Sequence, residues 1–211
     1  MQGLAEFFEH GGLFMYLNVL SSAATLAVIV ERVIFFLGKG SVNARAFLEQ
    51  IRKLVAANNV DRAVKLCSAT EAPVARVARA GLTRLNKGEA AVSTAIEEMM
   101  AEVTPDLKKR IAILWSIANI ATLLGLLGTI SGLIKSFAAV GSASPEQRSA
   151  LLSKGISEAM YNTAFGLGIA VTCMIAHVFL SSVAKKQQNE LETFSMKLEN
   201  LLSETVSTGA R

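Results

Sequence analysis

The chain has 211 residues, 52% of them hydrophobic and 18% charged, and its mean hydropathy is +0.43. With two histidines, two cysteines and no cluster of Cys, His, Asp or Glu at ligand spacing, the sequence excludes a metal centre and a disulfide framework. The formal net charge of +4 does not point to nucleic acid, because the basic residues stand beside apolar runs.

Taken in chain order, Leu13 to Val30 and Ile111 to Ile134 hold no charged residue, and Ala159 to Ala184 holds only His177. Each run is long enough to cross a hydrocarbon core of ~30 Å, which takes about 20 helical residues. A soluble core helix would show a polar stripe every turn, and these runs do not. The alternative of a large buried soluble bundle fits them poorly. The expected fold class is therefore an all-α membrane protein with three transmembrane helices and a helical cytoplasmic domain. Residues 1–12 carry Glu6 and Glu9 but no Lys or Arg, so they lack the basic start of a secretory signal and the first span is expected to be retained.

Orientation follows from the basic residues. Arg32, Lys39, Arg45, Arg52 and Lys53 follow span 1. Lys108, Lys109 and Arg110 precede span 2, and Lys185, Lys186 and Lys197 follow span 3. The opposite side has only Lys135, Arg148 and Lys154. The expected order is a periplasmic N-terminus (1–12), span 1 (13–37), a cytoplasmic helical domain and stalk (38–110), span 2 (111–137), a periplasmic loop (138–153), span 3 (154–184) and a cytoplasmic C-terminal helix (185–211), in a bacterial inner membrane.

Within the cytoplasmic segment, Val42 to Ala57 puts Phe47, Ile51, Leu54 and Val55 on one helical face. Asn58-Asn59 is a break, Asp61 to Ala69 a second short helix, and Pro73 opens a third toward Leu85. Gly88 is the expected left-handed cap. From about Glu89 a helix could run straight into span 2, kinked at Pro105, which lacks an N–H. Glu97, Glu98, Glu102 and Asp106 against Lys108, Lys109 and Arg110 read as a charged, solvent-facing stalk. In the outer loop, Ser144-Pro145-Glu146-Gln147 has the form of a helix start, with Gly155 a weak point beyond it.

Span 2 carries Gly125, Gly128, Thr129 and Gly132 at i, i+3, i+4 and i+7, a narrow stripe of small residues containing a GxxxG pair. Helix packing is the plainer reading of these glycines and of Gly166, whereas the Thr129 hydroxyl, which can donate and accept, could line a wet path. In span 3, Glu158 is the one carboxylate near the start of an otherwise uncharged run, and an ionisable group at membrane depth is a functional candidate by default. The competing reading is an interfacial carboxylate held by Lys154 at i−4. Asn162 lies one turn below Glu158, while Thr163 stands about 140° off that stripe on an ideal helix. Interhelical hydrogen bonding would explain both Asn162 and Thr163 equally well. His177 is a candidate proton relay or a hydrogen-bonded bundle residue. Glu31-Arg32 reads as an interfacial pair. No nucleophile arrangement or phosphate loop occurs, so neither an enzyme nor a cofactor is expected.

Leu127-Gly128-Thr129-Ile130-Ser131-Gly132 in span 2, and Gly155-Ile156-Ser157-Glu158-Ala159 followed by Thr163-Ala164-Phe165-Gly166-Leu167 in span 3, resemble the "GT..G" and "GI.EA....TA.GL" signatures of the MotA/TolQ/ExbB proton channel family. Gly11-Gly12, Glu31-Arg32 and the cytoplasmic helices extend the likeness over most of the chain. The three spans resemble the ExbB/TolQ branch more than MotA, which has a fourth. The resemblance implies a homopentamer around a central pore that holds the helices of an ExbD/TolR-like single-span partner, whose membrane Asp takes up and releases the proton. It implies that Thr129 and Thr163 line the pore and that Glu158 sits near its outer mouth. A TonB/TolA-like periplasm-spanning protein is the implied recipient of the work, in nutrient import, envelope maintenance or gliding motility. One departure is Thr172, where the family often has proline. The rival reading is a passive membrane scaffold of the same fold; an unrelated enzyme or transporter would need a second ionisable cluster, which the sequence lacks.

Overall fold

The computed structural model describes residues 12–38 and 42–209. The expectations for residues 1–11, with Glu6, Glu9 and Gly11, and for Lys39 lie outside the described residues. Seven α-helices and one 3-10 turn form the described residues, with no strand among them: α1 (Gly12–Gly38), α2 (Ala44–Ala56), α3 (Val60–Ser68), α4 (Pro73–Thr83), the turn Leu85–Lys87, α5 (Glu89–Lys108), α6 (Ile111–Ser142) and α7 (Pro145–Gly209). The stretches Leu13–Gly38, Glu89–Ser142 and Pro145–Ser207 each contain an 18-residue window of mean hydropathy 2.0, long and apolar enough to cross a membrane. Only 17%, 33% and 28% of those windows are buried within the chain, so most of their apolar surface faces outward, as a bilayer requires. The protein is thus an all-α membrane protein with three spans. At 65 residues, α7 is about 98 Å long, so it must project well beyond a hydrocarbon core of about 30 Å.

Two compact units divide the chain, and the long helices contribute to both. The first takes residues up to Glu31 together with Arg110–Phe179, that is, the apolar parts of α1, α6 and α7. Its inward faces are small: Ala118, Ala121, Ile169, Ala170 and Cys173 form a cluster backed by Ile117 and Phe165. Its outward faces carry Leu20, Leu26, Leu123, Ile134, Val178 and Phe179. Glu31 is ion-paired to Arg110, the residue just before α6.

The second unit comprises Arg32–Lys109 and Leu180–Arg211. The expected face of α2 is buried at Phe47, Ile51 and Val55, with Leu54 partly so. It joins Val77, Ala78 and Leu82 of α4, Val92, Ile96 and Val103 of α5, and Leu191, Leu198 and Leu202 of α7 in one core. Phe47 and Phe194 meet with ring centroids 6.4 Å apart. Asn43 caps α2, its Oδ1 accepting from the N–H groups of Arg45 and Ala46 at 3.1 and 3.2 Å. Cys67 is 1% exposed in this core, and burial pushes its thiol up to about 11 against the opposing pull of the Arg79 charge, so it is protonated and unreactive at neutral pH.

Two local expectations change, at Gly88 and at Pro105. Gly88 does have positive φ, but at φ 94°, ψ 170° it sits in the mirror-β region as the residue that starts α5, while Arg84 ends α4. The charged face of the stalk is exposed at Glu97, Glu98, Glu102, Lys108 and Lys109 as expected, and Arg76 of α4 pairs with Glu102 and lies 3.8 Å from Asp106 along it. The helix from Glu89 is not continuous with span 2 across a Pro105 kink. Pro105 is accommodated inside α5, and the break comes at Lys109, which is extended, and Arg110, which is left-handed at φ 63°.

The break leaves the last carbonyls of α5 without intrahelical donors. Arg32, only 3% exposed, supplies one: its Nη1 donates to the Asp106 carbonyl at 3.1 Å while its guanidinium stands 4.9 Å over the Phe35 ring. Arg32→Leu is therefore expected to destabilise the protein by about 2 kcal/mol, the worth of a buried charge-assisted hydrogen bond. A thermal melt in detergent reads this, with Arg32→Lys recovering part of the loss. An unchanged melting temperature for the leucine variant would remove the capping role.

Candidate functional site

The glycine stripe of α6 sets the geometry of the site. A Cβ added at Gly125 would meet the Asn162 carbonyl at 3.0 Å and the Thr163 Cα at 3.2 Å; at Gly128 it would meet Asn162 Cβ at 2.9 Å, and at Gly132 Ala159 Cβ at 2.9 Å. On α7, a Cβ at Gly166 would meet the Ala121 carbonyl at 2.5 Å, and one at Gly155 would run into Ser136. Position 125 thus faces 166, 128 faces 162, 132 faces 159 and 136 faces 155, an antiparallel register in which small residues bring two backbones together. Gly155 leaves α7 unbroken.

This close approach gathers side chains that the helical wheel of α7 separates. Asn162 packs on Gly128, while Thr163, about 100° further round the same helix, reaches Gly125 and Thr129. With no side chain on Gly125 or Gly128, α6 settles between the two. The Thr129 and Thr163 hydroxyls are hydrogen-bonded to each other. Thr129 Oγ1 also lies 3.2 Å from the carbonyls of Gly125 and Ala159, and Thr163 Oγ1 lies 3.1 Å from that of Gly125. Each hydroxyl has one proton and more than one acceptor. The pair can therefore reorient its protons by rotation about two bonds, without moving either helix.

Above the pair, toward the α6–α7 turn, is a cleft of about 430 Å³ lined by Lys135, Ser136, Lys154, Glu158 and Asn162, with Leu13 and Phe14 of α1 on its wall. Glu158 is 30% exposed at its side chain and 3.8 Å from Lys154 Nζ, the i,i+4 pair anticipated from sequence. Thr163 stands five positions further on, about 7.5 Å along the helix. Asn162, 4% exposed, forms the cleft floor with Gly128. His177 lies away from this group, its ring 6.0 Å from that of Trp115. Thr172, in the place of the family proline, bonds its hydroxyl to the Gly168 carbonyl at 2.9 Å. No group of three potential metal ligands occurs among the described residues.

Sequence reasoning overlooked the inner face of α1. Asn18 and Thr25 are 0% and 2% exposed, and Thr25 Oγ1 lies 3.1 Å from Cys173 Sγ. Ser22, Thr25 and Leu26 line a second cleft, of about 420 Å³, against Phe165 and Thr172. The signal was present in the spacing of Asn18, Ser22 and Thr25, which puts three polar residues on one face of an otherwise apolar span.

Comparison with known proteins agrees with this architecture. The chain is 30% identical over 162 residues to a putative biopolymer transport protein ExbB-like 3 of Synechocystis sp., covering 76% of this chain and 77% of the relative. It is 21% identical over 188 residues to a putative biopolymer transport protein ExbB homolog of Methanothermobacter thermautotrophicus, covering 89% and 66%. Over 76 residues it is 41% identical to the biopolymer transport protein exbB1 of Vibrio cholerae, covering 36% and 33%. The model of the MotA/TolQ/ExbB proton channel family matches residues 69–193, a tract that holds α5, α6, the threonine pair and Glu158. This multi-pass membrane protein belongs to the MotA/TolQ/ExbB proton channel family.

Proposed function

We propose that the chain is an ExbB/TolQ-like subunit of a proton-motive-force-driven motor in a bacterial inner membrane, with its N-terminus periplasmic and its C-terminus cytoplasmic. Five copies enclose a pore around the helices of an ExbD/TolR-like single-span partner, and proton passage moves those helices against periplasmic or outer-membrane machinery through a TonB/TolA-like or other periplasm-spanning protein. The observation that carries the reading is the Thr129–Thr163 hydroxyl pair beneath the Glu158 cleft, on the family-matched helices.

Threonine hydroxyls relay protons but do not store charge, so the pair needs an ionisable group on each side. Glu158 is the group on the outer side, and the partner's membrane Asp is the group in the pore. Each proton crossing 100 mV releases about 2.3 kcal/mol, enough to bias a helix rotation across small-residue contacts and too little to part a large apolar interface.

Two measurements test this. The native mass of the chain in mild detergent, alone and co-expressed with its single-span partner, is expected to show a pentamer that retains the partner. Proton flux through that complex in vesicles is expected to fall to the lipid leak when Thr129, Glu158 and Thr163 are all alanine. A monomer or dimer without partner, or full flux in the triple variant, would leave a passive scaffold.

A further inference from the structure

Between Glu158 and Lys185, α7 carries a single basic side chain, His177. An ionisable group inside a span is costly and faces a cavity, water or a partner. His177 stands 14 positions beyond Thr163. That is about 21 Å along the helix and about 40° round it, so the two share a face. His177 is half-buried, and its ring lies 6.0 Å from that of Trp115. Trp115 in turn stands 14 positions before Thr129 on the antiparallel α6. The register that joins Thr129 to Thr163 therefore carries on to Trp115 and His177.

Between these two levels the face of α6 is polar. Thr122, Trp115 and Asn119 lie about 20°, 40° and 80° round from Thr129. Thr122 is half-buried, and Asn119 and Trp115 are exposed. The exposed strip about 120–180° round holds Ile120, Leu123, Leu127 and Ile134 instead. The Thr122 hydroxyl donates to the Ala118 carbonyl at 3.0 Å, and the Asn119 amide donates to the Trp115 carbonyl at 3.0 Å. A primary amide has a second proton and an acceptor oxygen besides. Exposing them to hydrocarbon is costly, whereas exposing them to a water-bearing space is not. The strip from Thr129 to Trp115 thus fits the wall of a polar space, and the strip of Ile120 and Leu123 fits lipid.

We propose that His177 is the inner proton station of each subunit. A proton that has passed the threonine pair moves along the Thr122–Asn119 strip and binds a ring nitrogen of His177. The imidazolium then gives a proton up to water on the cytoplasmic side. Only N–H and O–H bonds are made and broken, and the imidazole ends neutral as it began. Glu158 stands 19 positions earlier, about 28 Å along α7. The span then carries an ionisable group toward each side of a core of about 30 Å. The nearest charged groups along the packed helices are Arg110, just before α6, and Glu31 of α1, which pair with each other. On α7 itself the nearest is Lys185, about two turns further on. The role in conduction rests on the channel reading above; the titration of His177 beside Trp115 does not.

Trp115 is the only tryptophan of the chain, and a protonated imidazole quenches indole fluorescence more strongly than a neutral one. In oriented vesicles of the full chain, emission is expected to fall in one step between about pH 8 and about pH 5. The step is expected to follow the pH of the cytoplasmic side and to vanish in His177→Gln, which keeps a polar side chain but cannot titrate. No step, a step that survives in the glutamine variant, or one that follows only the opposite side overturns the site. Proton flux per complex assembled with the single-span partner is expected to fall about a hundredfold in His177→Gln, with the melting temperature unchanged. In His177→Ala, imidazole added on the cytoplasmic side is expected to restore part of the flux, which a purely structural histidine would not show. Full flux in His177→Gln overturns the role in conduction. A His177-dependent step in a complex whose wild type carries no proton current removes the channel reading, and with it that role, while the titrating site stands.

Discussion

Gly166→Val is expected to abolish the folded membrane unit. The built Cβ at Gly166 would stand 2.5 Å from the Ala121 backbone carbonyl and 3.2 Å from Gly125 Cα. Neither is the end of a flexible side chain, so the clash can be relieved only by parting α6 from α7. Overpacking in a well-packed core costs about 1–3 kcal/mol when side chains can give way, and here the obstacle is a helix backbone. Separation would also break the Thr129–Thr163 contact. Gly168→Ala, two residues further along α7, is the control: its Cβ meets nothing within 4 Å, and alanine is the better helix former by about 1 kcal/mol. The expected result is loss of monodisperse protein on extraction for Gly166→Val, with Gly168→Ala equal to or above wild type in thermal melts. Gly166→Val with wild-type melting and flux would show that the two helices are not in this register.

The contrast between these glycines shows what the sequence could and could not say. The stripe Gly125, Gly128, Gly132 was visible as spacing, and so was the apolar face Phe47, Ile51, Val55, because both are periodic properties of a single helix. Which glycine tolerates a side chain depends on what the neighbouring helix presents, and Gly166 and Gly168 are indistinguishable until α6 is in place. The same limit explains Thr163. An ideal wheel put it off the Glu158–Asn162 stripe, yet the absence of side chains at Gly125 and Gly128 lets one helix touch both faces. It also explains the end of α5. Pro105 was the visible breaker, but the helix absorbed it and ended instead where Arg32 and Arg76 engage Asp106 and Arg110 turns left-handed. Those partners are distant in sequence and leave no local pattern. Asn18 is a different case: its spacing with Ser22 and Thr25 was legible, and one asparagine in an apolar span was simply outweighed by the run of leucine, alanine and valine around it.

Thr129→Val and Thr163→Val separate conduction from packing. Valine keeps the branched shape of threonine and removes only the hydroxyl, so the antiparallel contact at Gly125 and Gly128 is retained. The carbonyls of Gly125 and Ala159 lie within helices and keep their backbone donors, so each hydroxyl contributes about 1 kcal/mol or less to stability. Proton transfer is another matter. A positioned transfer partner is worth about 10²–10⁴ in rate, and a chain of hydroxyls is interrupted by the loss of either one. Each single valine variant is therefore expected to cut proton flux by about a hundredfold, and the double variant to cut it hardly further, because the two act as a unit. Thr→Ser at both positions should restore most of the flux, since a serine hydroxyl rotates as freely and finds the same carbonyls. Flux per assembled complex is the measurement, with the melting temperature recorded alongside it. Two independent, multiplying losses would mean that the hydroxyls meet the proton separately, and wild-type flux in the double valine variant would reduce the pair to interhelical hydrogen bonding.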